Sequence, residues 1–178
     1  DLWQNAYHVQ LPKHFKLLLS HNGEPSLYHV FYKDPAQIIL TSEGNILLSW
    51  LRSFFVREDF SQMAMKEIEY FDQGVRIEEA ETANIIASFE RNMIHTKYAP
   101  LLKGGYQSDI LLSFDRGVLN MASAGRLFTN VDLRADLSIE STGNIWNLGE
   151  RKSRLMMREL VIHSDQFNIG LRGELETD

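Results

Sequence analysis

At 178 residues the chain has the length of one domain, able to bury roughly 70% of the surface its unfolded form exposes, and its 44% hydrophobic and 24% charged content is far from the disordered regime. The 24 acidic and 18 basic side chains give a net charge of −6, and with no long basic stripe to meet a phosphate backbone no nucleic acid partner is expected. The absence of cysteine excludes disulfides, thiolate metal sites and cysteine nucleophiles together.

The chain begins at Asp1 with no charged and apolar leader behind it, which predicts a mature or trimmed fragment. "AYHVQL", "HFKLLLS", "LYHVFY" and "QIILT" read as strands, separated by "HNGEP" and "KDP", both rich in turn formers. The rhythm then changes. From Ile46 to about Val56, Ile46, Leu47, Trp50, Leu51, Phe54 and Phe55 recur at three- and four-residue spacings after a cap at Ser42 or Asn45, which predicts one short amphipathic helix over 46–56. Such a helix either packs on a sheet or turns an aromatic face to lipid or a groove. The stretch around it contains Glu43 and Arg52 and never reaches the roughly 18 clean apolar residues of a spanning helix, so no transmembrane span is expected.

Further along, "KEIEYF" and "VRIEEA" flank Asp72, Gln73 and Gly74, while "DILLSF" and "VLNMAS" flank Asp115, Arg116 and Gly117. A short loop ending in Gly predicts a hairpin at each. The acidic run Glu78, Glu79 and Glu81 lacks the spacing of a calcium loop and reads as charge guarding a sheet edge. The strongest signal is "VDLRADLSIES", where Val131, Leu133, Ala135, Leu137 and Ile139 alternate with Asp132, Arg134, Asp136, Ser138 and Glu140, giving a strand with one dry and one wet face. Gly143 and Gly149 bracket a turn-rich connection, "RLMMRELVIHS" is another strand, and "QFNIGLRGEL" repeats the alternation with Phe167, Ile169, Leu171 and Leu175 opposite Asn168, Arg172 and Glu174. With no linker, low-complexity tract or strict repeat, the expectation is a single mainly-β domain over 1–178, in which an N-terminal segment, 1–60, is followed by a β-meander, 65–178. Its fold class is an antiparallel meander, or a sandwich or curved sheet, with one short amphipathic helix.

Chemistry is harder to find. The phosphate-loop, dinucleotide, zinc-protease and nucleophile-elbow motifs are all missing. His8, His14, His21 and His29 fall in the first 29 residues but fit no common ligand template, so no metal and no cofactor are expected. His163 with Asp165 and Glu159 forms a proton-transfer group only if a nucleophile joins it, and none does; an ordinary surface cluster is the simpler reading. Arg151, Lys152, Arg154 and Arg158 make the densest basic stretch, which reads as solvated. Nothing identifies an enzyme.

From about Ser108 to the end, roughly 70 of the 178 residues, "SDILLSFDRGVLNMASAG", "NVDLRADLSIESTGNIWNLG" and "RLMMRELVIHSDQFNIGLRGELE" resemble the β-repeats of the AsmA-like group of bacterial envelope proteins, with the comparable phrases at Leu137 to Leu148 and Phe167 to Leu175. The resemblance implies an envelope protein facing the periplasm, with a long curved sheet whose concave apolar face shelters acyl chains, and it carries over no catalytic residues. Beside it stands a physical requirement: strands with one apolar face must cover that face with a second layer, a ligand or a partner protein. The leading expectation is a noncatalytic envelope domain that binds or shields lipid or another apolar ligand, lined by Leu133, Leu137, Ile139, Phe167, Ile169 and Leu171, with Trp50 and Phe54 from the helix. The alternative is a protein-interaction or scaffold module of a secretion or surface assembly, meeting another envelope protein.

Overall fold

The computed structural model describes residues 4–21, 24–44, 65–101, 105–121, 125–142 and 152–177. The period-two alternation becomes twelve strands in one open sheet, every pair antiparallel. In chain order they are β1 (Gln4–Gln10), β2 (His14–His21), β3 (Glu24–Tyr32), β4 (Gln37–Glu43), β5 (Met65–Asp72), β6 (Val75–Glu79), β7 (Ile85–Phe89), β8 (Arg91–Pro100), β9 (Tyr106–Met121), β10 (Arg126–Thr142), β11 (Lys152–His163) and β12 (Asn168–Thr177).

Two long strands, β9 and β10, serve two arms of this sheet. One arm runs β1-β4-β5-β8-β9-β10-β11-β12 and the other β2-β3-β6-β7-β9-β10. Register shows how the arms join. Ser88 lies opposite Val118 and Arg91 opposite Asp115, so β7 and β8 keep one register against β9 on either side of Glu90. Asp72 lies opposite Asn92 and Val75 opposite Phe89, so β5 and β6 are likewise one bent strand. The breaks at 11–13, 33–36, 73–74 and Glu90, with the left-handed residues Arg116 (φ 49°) and Asn130 (φ 52°), fall on neighbouring strands and form a crease across the sheet.

This corrects the hairpins expected at Asp72 to Gly74 and at Asp115 to Gly117. β5 pairs with β4 and β8, not β6, and residues 106–121 are one strand with a register irregularity on each side of Gly117. "KDP" is also a bend, since β3 and β4 do not pair with each other. The physical reason is that the same residues serve both purposes: a Gly or left-handed residue with a neighbouring Asp can reverse a chain or bend a strand. At Gly74 (φ 140°) the backbone N–H donates to Asp72 Oδ1 at 2.8 Å and stabilises the bend without reversing it. The acidic run is corrected too. Glu78 and Glu79 sit on β6, an interior strand between β3 and β7, and not on a sheet edge.

The described strands belong to one open hydrogen-bonded sheet, and few of their apolar side chains are fully buried, so the sheet builds little core of its own. The helix expected over 46–56 lies outside the described residues. What core exists follows the crease: Val30, Ala36, Val131 and Ala135 are the buried apolar residues, and Phe89 lies so close over Gly117 that an added Cβ would meet its ring at 2.2 Å.

Candidate functional site: the apolar face of the sheet

Paired residues of an antiparallel sheet point to the same side, so the register reads out each face as rows. One row crosses all eight strands of the longer arm: Val9, Ile38, Tyr70, Ile94, Leu112, Ala135, Leu160 and Leu171. The next row is Tyr7, Leu40, Ile68, Thr96, Ile110, Leu137, Met157 and Gly173. Neither row contains a charged side chain. In the shorter arm Phe15, Val30, Ile77, Ala87, Leu119 and Phe128 form a third apolar row across six strands. The apolar sides of the two arms meet at the crease, where Phe89 packs on Phe114 with ring centroids 5.4 Å apart and the Tyr32 and Tyr70 hydroxyls lie 3.1 Å apart.

Among the described residues this face is only partly covered. In the first row only Ala135 is buried; the residues between are half-buried, and exposure rises to 43% at Val9 and 51% at Leu171. With strands about 4.8 Å apart, eight of them make an apolar surface roughly 34 Å across. Of the expected lining residues, Leu133, Leu137 and Ile139 lie on this face of β10, and Leu133, Ile162 and Ile169 form a row that carries it to the sheet edge. Leu171 ends the eight-residue row. Phe167 sits in the turn one residue before β12, bonded to Ser164, with its ring edge-on to Phe128 of the third apolar row at 5.2 Å. Trp50 and Phe54 lie outside the described residues. Ile38, Tyr70, Ile94, Leu112 and Leu160 were missed, although alternation in "QIILT" and "DILLSF" hinted at two of their strands.

A polar cluster marks the crease on this face. The buried carboxylate of Asp72 accepts from Tyr70 Oη at 2.6 Å, from the Gly74 N–H at 2.8 Å and from Asn92 Nδ2 at 2.7 and 2.9 Å. Burial first, then the hydrogen bonds to Asp72 and Tyr32, push the Tyr70 hydroxyl far above the ordinary tyrosine range. The Asp72 carboxylate thus ties Tyr70, Gly74 and Asn92 together across the crease.

The opposite face is mixed: it carries ion pairs together with exposed Phe71, Met93 and Leu111. Arg158 reaches from β11 to Asp136 on β10 at 2.8 Å and to Asp109 on β9 at 2.6 Å. Burial alone would raise the Asp109 carboxyl, but hydrogen bonds from Arg158, Ser138 and Gln107 outweigh it and hold it below the usual carboxylate range. These long side chains cover Ser138, which is buried although it lies on the wet side. A hollow of about 830 Å³ on the crease gathers Phe31, Phe71, Arg76, Arg91 and Arg116, yet each arginine already has a carboxylate, from Glu78 at 2.8 Å, Asp115 at 3.3 Å and Glu90 at 2.8 Å respectively.

Glu67, Glu69 and His95 each offer one ligand atom within 4.8 Å of the others, beside a hollow of about 260 Å³. This is the one set among the described residues with metal-ligand proximity; within it His95 Nε2 is in hydrogen-bond contact with Glu67, and Lys97 Nζ lies 3.8 Å from the same carboxylate. Of the N-terminal histidines the structure brings together His14 and His29, edge to face at 5.0 Å, with His14 stacked on Phe31 at 4.5 Å. Asp165 accepts from Thr129 Oγ1 at 2.9 Å and Asn130 Nδ2 at 2.8 Å, which fastens the β11–β12 turn to the crease. A scan of protein-family models, a search of curated proteins and a search of solved structures each returned no match.

Proposed function

We infer that the protein is a noncatalytic envelope domain, facing the periplasm, that shelters lipid or another apolar ligand on its uncharged sheet face. The observation that carries this reading is the row from Val9 to Leu171, eight strands wide and partly open along its length. An exposed apolar surface of this width is well above what soluble monomers leave bare and fits an extended acyl chain lying across the strands. The resemblance of the stretch from about Ser108 to the end to AsmA-like β-repeats supports the same class of ligand, and the ion pairs lie on the opposite face.

The test is extraction of the purified protein with organic solvent, mass spectrometry of the extract, and titration of the delipidated protein with a fluorescent fatty acid. Copurifying lipid and saturable binding that weakens at least tenfold in Leu137→Glu support the reading. A clean extract with no saturable binding overturns it.

A further inference from the structure

Strand β12 pairs only with β11, so its other edge is free among the described residues, and its side chains stand in solvent: Arg172 is 77% exposed, Leu171 51% and Leu175 60%. An exposed edge of ten residues with no proline in it is a template for another strand, and the irregularity in the β11–β12 ladder, between Met157 and Leu160, puts its extra residue on β11 and leaves β12 itself regular. What suits that template is decided by the sequence "NIGLRGELET" itself.

Consider β12 antiparallel to a second copy of itself about a two-fold axis. Apolar sides coincide only in registers centred on a residue, because a half-step shift brings opposite faces together. Centring on Arg172 or on Glu174 opposes like charges at the axis, and centring on Leu171 sets Arg172 against Gly170. Centring on Gly173 places Arg172 opposite Glu174 of the second copy, twice by symmetry, and Leu171 opposite Leu175, also twice. A Cβ added at Gly173 or Gly170 would have nothing within 4 Å, so no side chain of the same protomer crowds either position. The geometry points to an isologous dimer in which β12 pairs with β12 of a second copy in this register. The apolar row then passes through the axis, from Leu160 and Leu171 of one protomer to Leu175 and Leu155 of its partner, and the sheet face doubles in extent.

Existing ion pairs leave room for this. Arg172 meets Glu159 at 3.4 Å on its own sheet, and Glu174 is held by Arg154, so each gains a second partner and loses none. A pair of strands is a small interface, and self-association in the roughly 1–100 µM range is expected.

The test is sedimentation velocity on the 178-residue chain and two variants, with folding verified by thermal melts. Wild type is expected to form a concentration-dependent dimer. Arg172→Glu alone sets Glu against Glu, Glu174→Arg alone sets Arg against Arg, and each is expected to weaken dimerisation at least tenfold. An equimolar mixture of the two variants restores both pairs and is expected to give a heterodimer, a result that fold damage cannot produce. A wild type that stays monomeric up to about 500 µM overturns the proposal, as do open-ended polymers or folded single variants that dimerise like wild type. So does a mixture of the variants that stays monomeric.

Discussion

The group whose loss is most costly is the Asp72 carboxylate, because it is buried on the apolar side and accepts from three different partners. Removing it strands the Asn92 amide and the Gly74 N–H, each worth about 1–3 kcal/mol when left unsatisfied, so Asp72→Ala is expected to lose about 3–5 kcal/mol in chemical denaturation. Tyr70→Phe removes one neutral donor and should cost only about 1–2 kcal/mol near pH 7. The same hydroxyl makes stability depend on pH in the alkaline range. Its pKa is raised on folding, so the folded state holds the proton more tightly, and this contribution is present below about pH 10 and shrinks as pH rises above it. Wild type should therefore lose more stability between pH 9 and 11 than Tyr70→Phe does; equal losses would mean that Tyr70 ionises as freely folded as unfolded. On β10, Leu137→Arg sets a charge between Ile110 and Met157 and should cost about 2 kcal/mol, while Arg134→Leu on the exposed side should change stability by less than about 0.5 kcal/mol. Similar melts for the two would overturn the face assignment.

At the scale of elements the crease is the feature that gives the sheet its form, and Gly117 is its tightest point. A methyl group there meets the Phe89 ring, so Gly117→Ala should cost about 2–3 kcal/mol, and part of that should return in a Phe89→Leu background. Gly173→Ala, on the open edge strand, should be neutral within about 0.5 kcal/mol. Thermal melts of the four variants would detect independence of Gly117 and Phe89 as simple additivity. The crease also shows where reading from sequence stops. Strand parity was legible at Leu133, Leu137, Ile139, Ile169 and Leu171, because a half-wet strand must alternate whatever its neighbours do. The bends at Gly74 and Arg116 were not, because a strand that reverses and a strand that bends use the same Asp and Gly chemistry, and the difference lies in which strands pair. For the same reason Ile38 and Leu112 could each be placed on a strand but not in one row, and Ile94 fell outside every expected strand. Register across eight strands is a property of long-range pairing, not of any local phrase. Phe167 was assigned to the strand by alternation, whereas Ser164 captures its backbone in the turn.

For the whole molecule the question is whether the apolar side behaves as a core or as a groove, and the two differ in measurable energy. Leu112 and Ile110 are central on that side, with apolar neighbours on both flanking strands except for Thr96 beside Ile110. In a closed core either truncation to Ala would cost about 2–5 kcal/mol, the range for buried aliphatics. Both are half-buried in the described structure, so the expected loss is about 1–2 kcal/mol, in proportion to the area they withdraw from water. The missing stabilisation should come instead from the ligand. A fatty acid bound to the folded state alone adds about 2.7 kcal/mol at one hundred times its dissociation constant, and the melting temperature should rise accordingly. Ile110→Ala and Leu112→Ala should melt slightly below wild type without ligand and gain less from a fixed fatty acid concentration. The decisive comparison is between these two effects. Truncations that cost about 4 kcal/mol or more, with no thermal gain from fatty acid in wild type, would mark the row as sealed core and remove the basis for a lipid on this face, whereas small losses coupled to a reduced ligand shift tie the open row to binding.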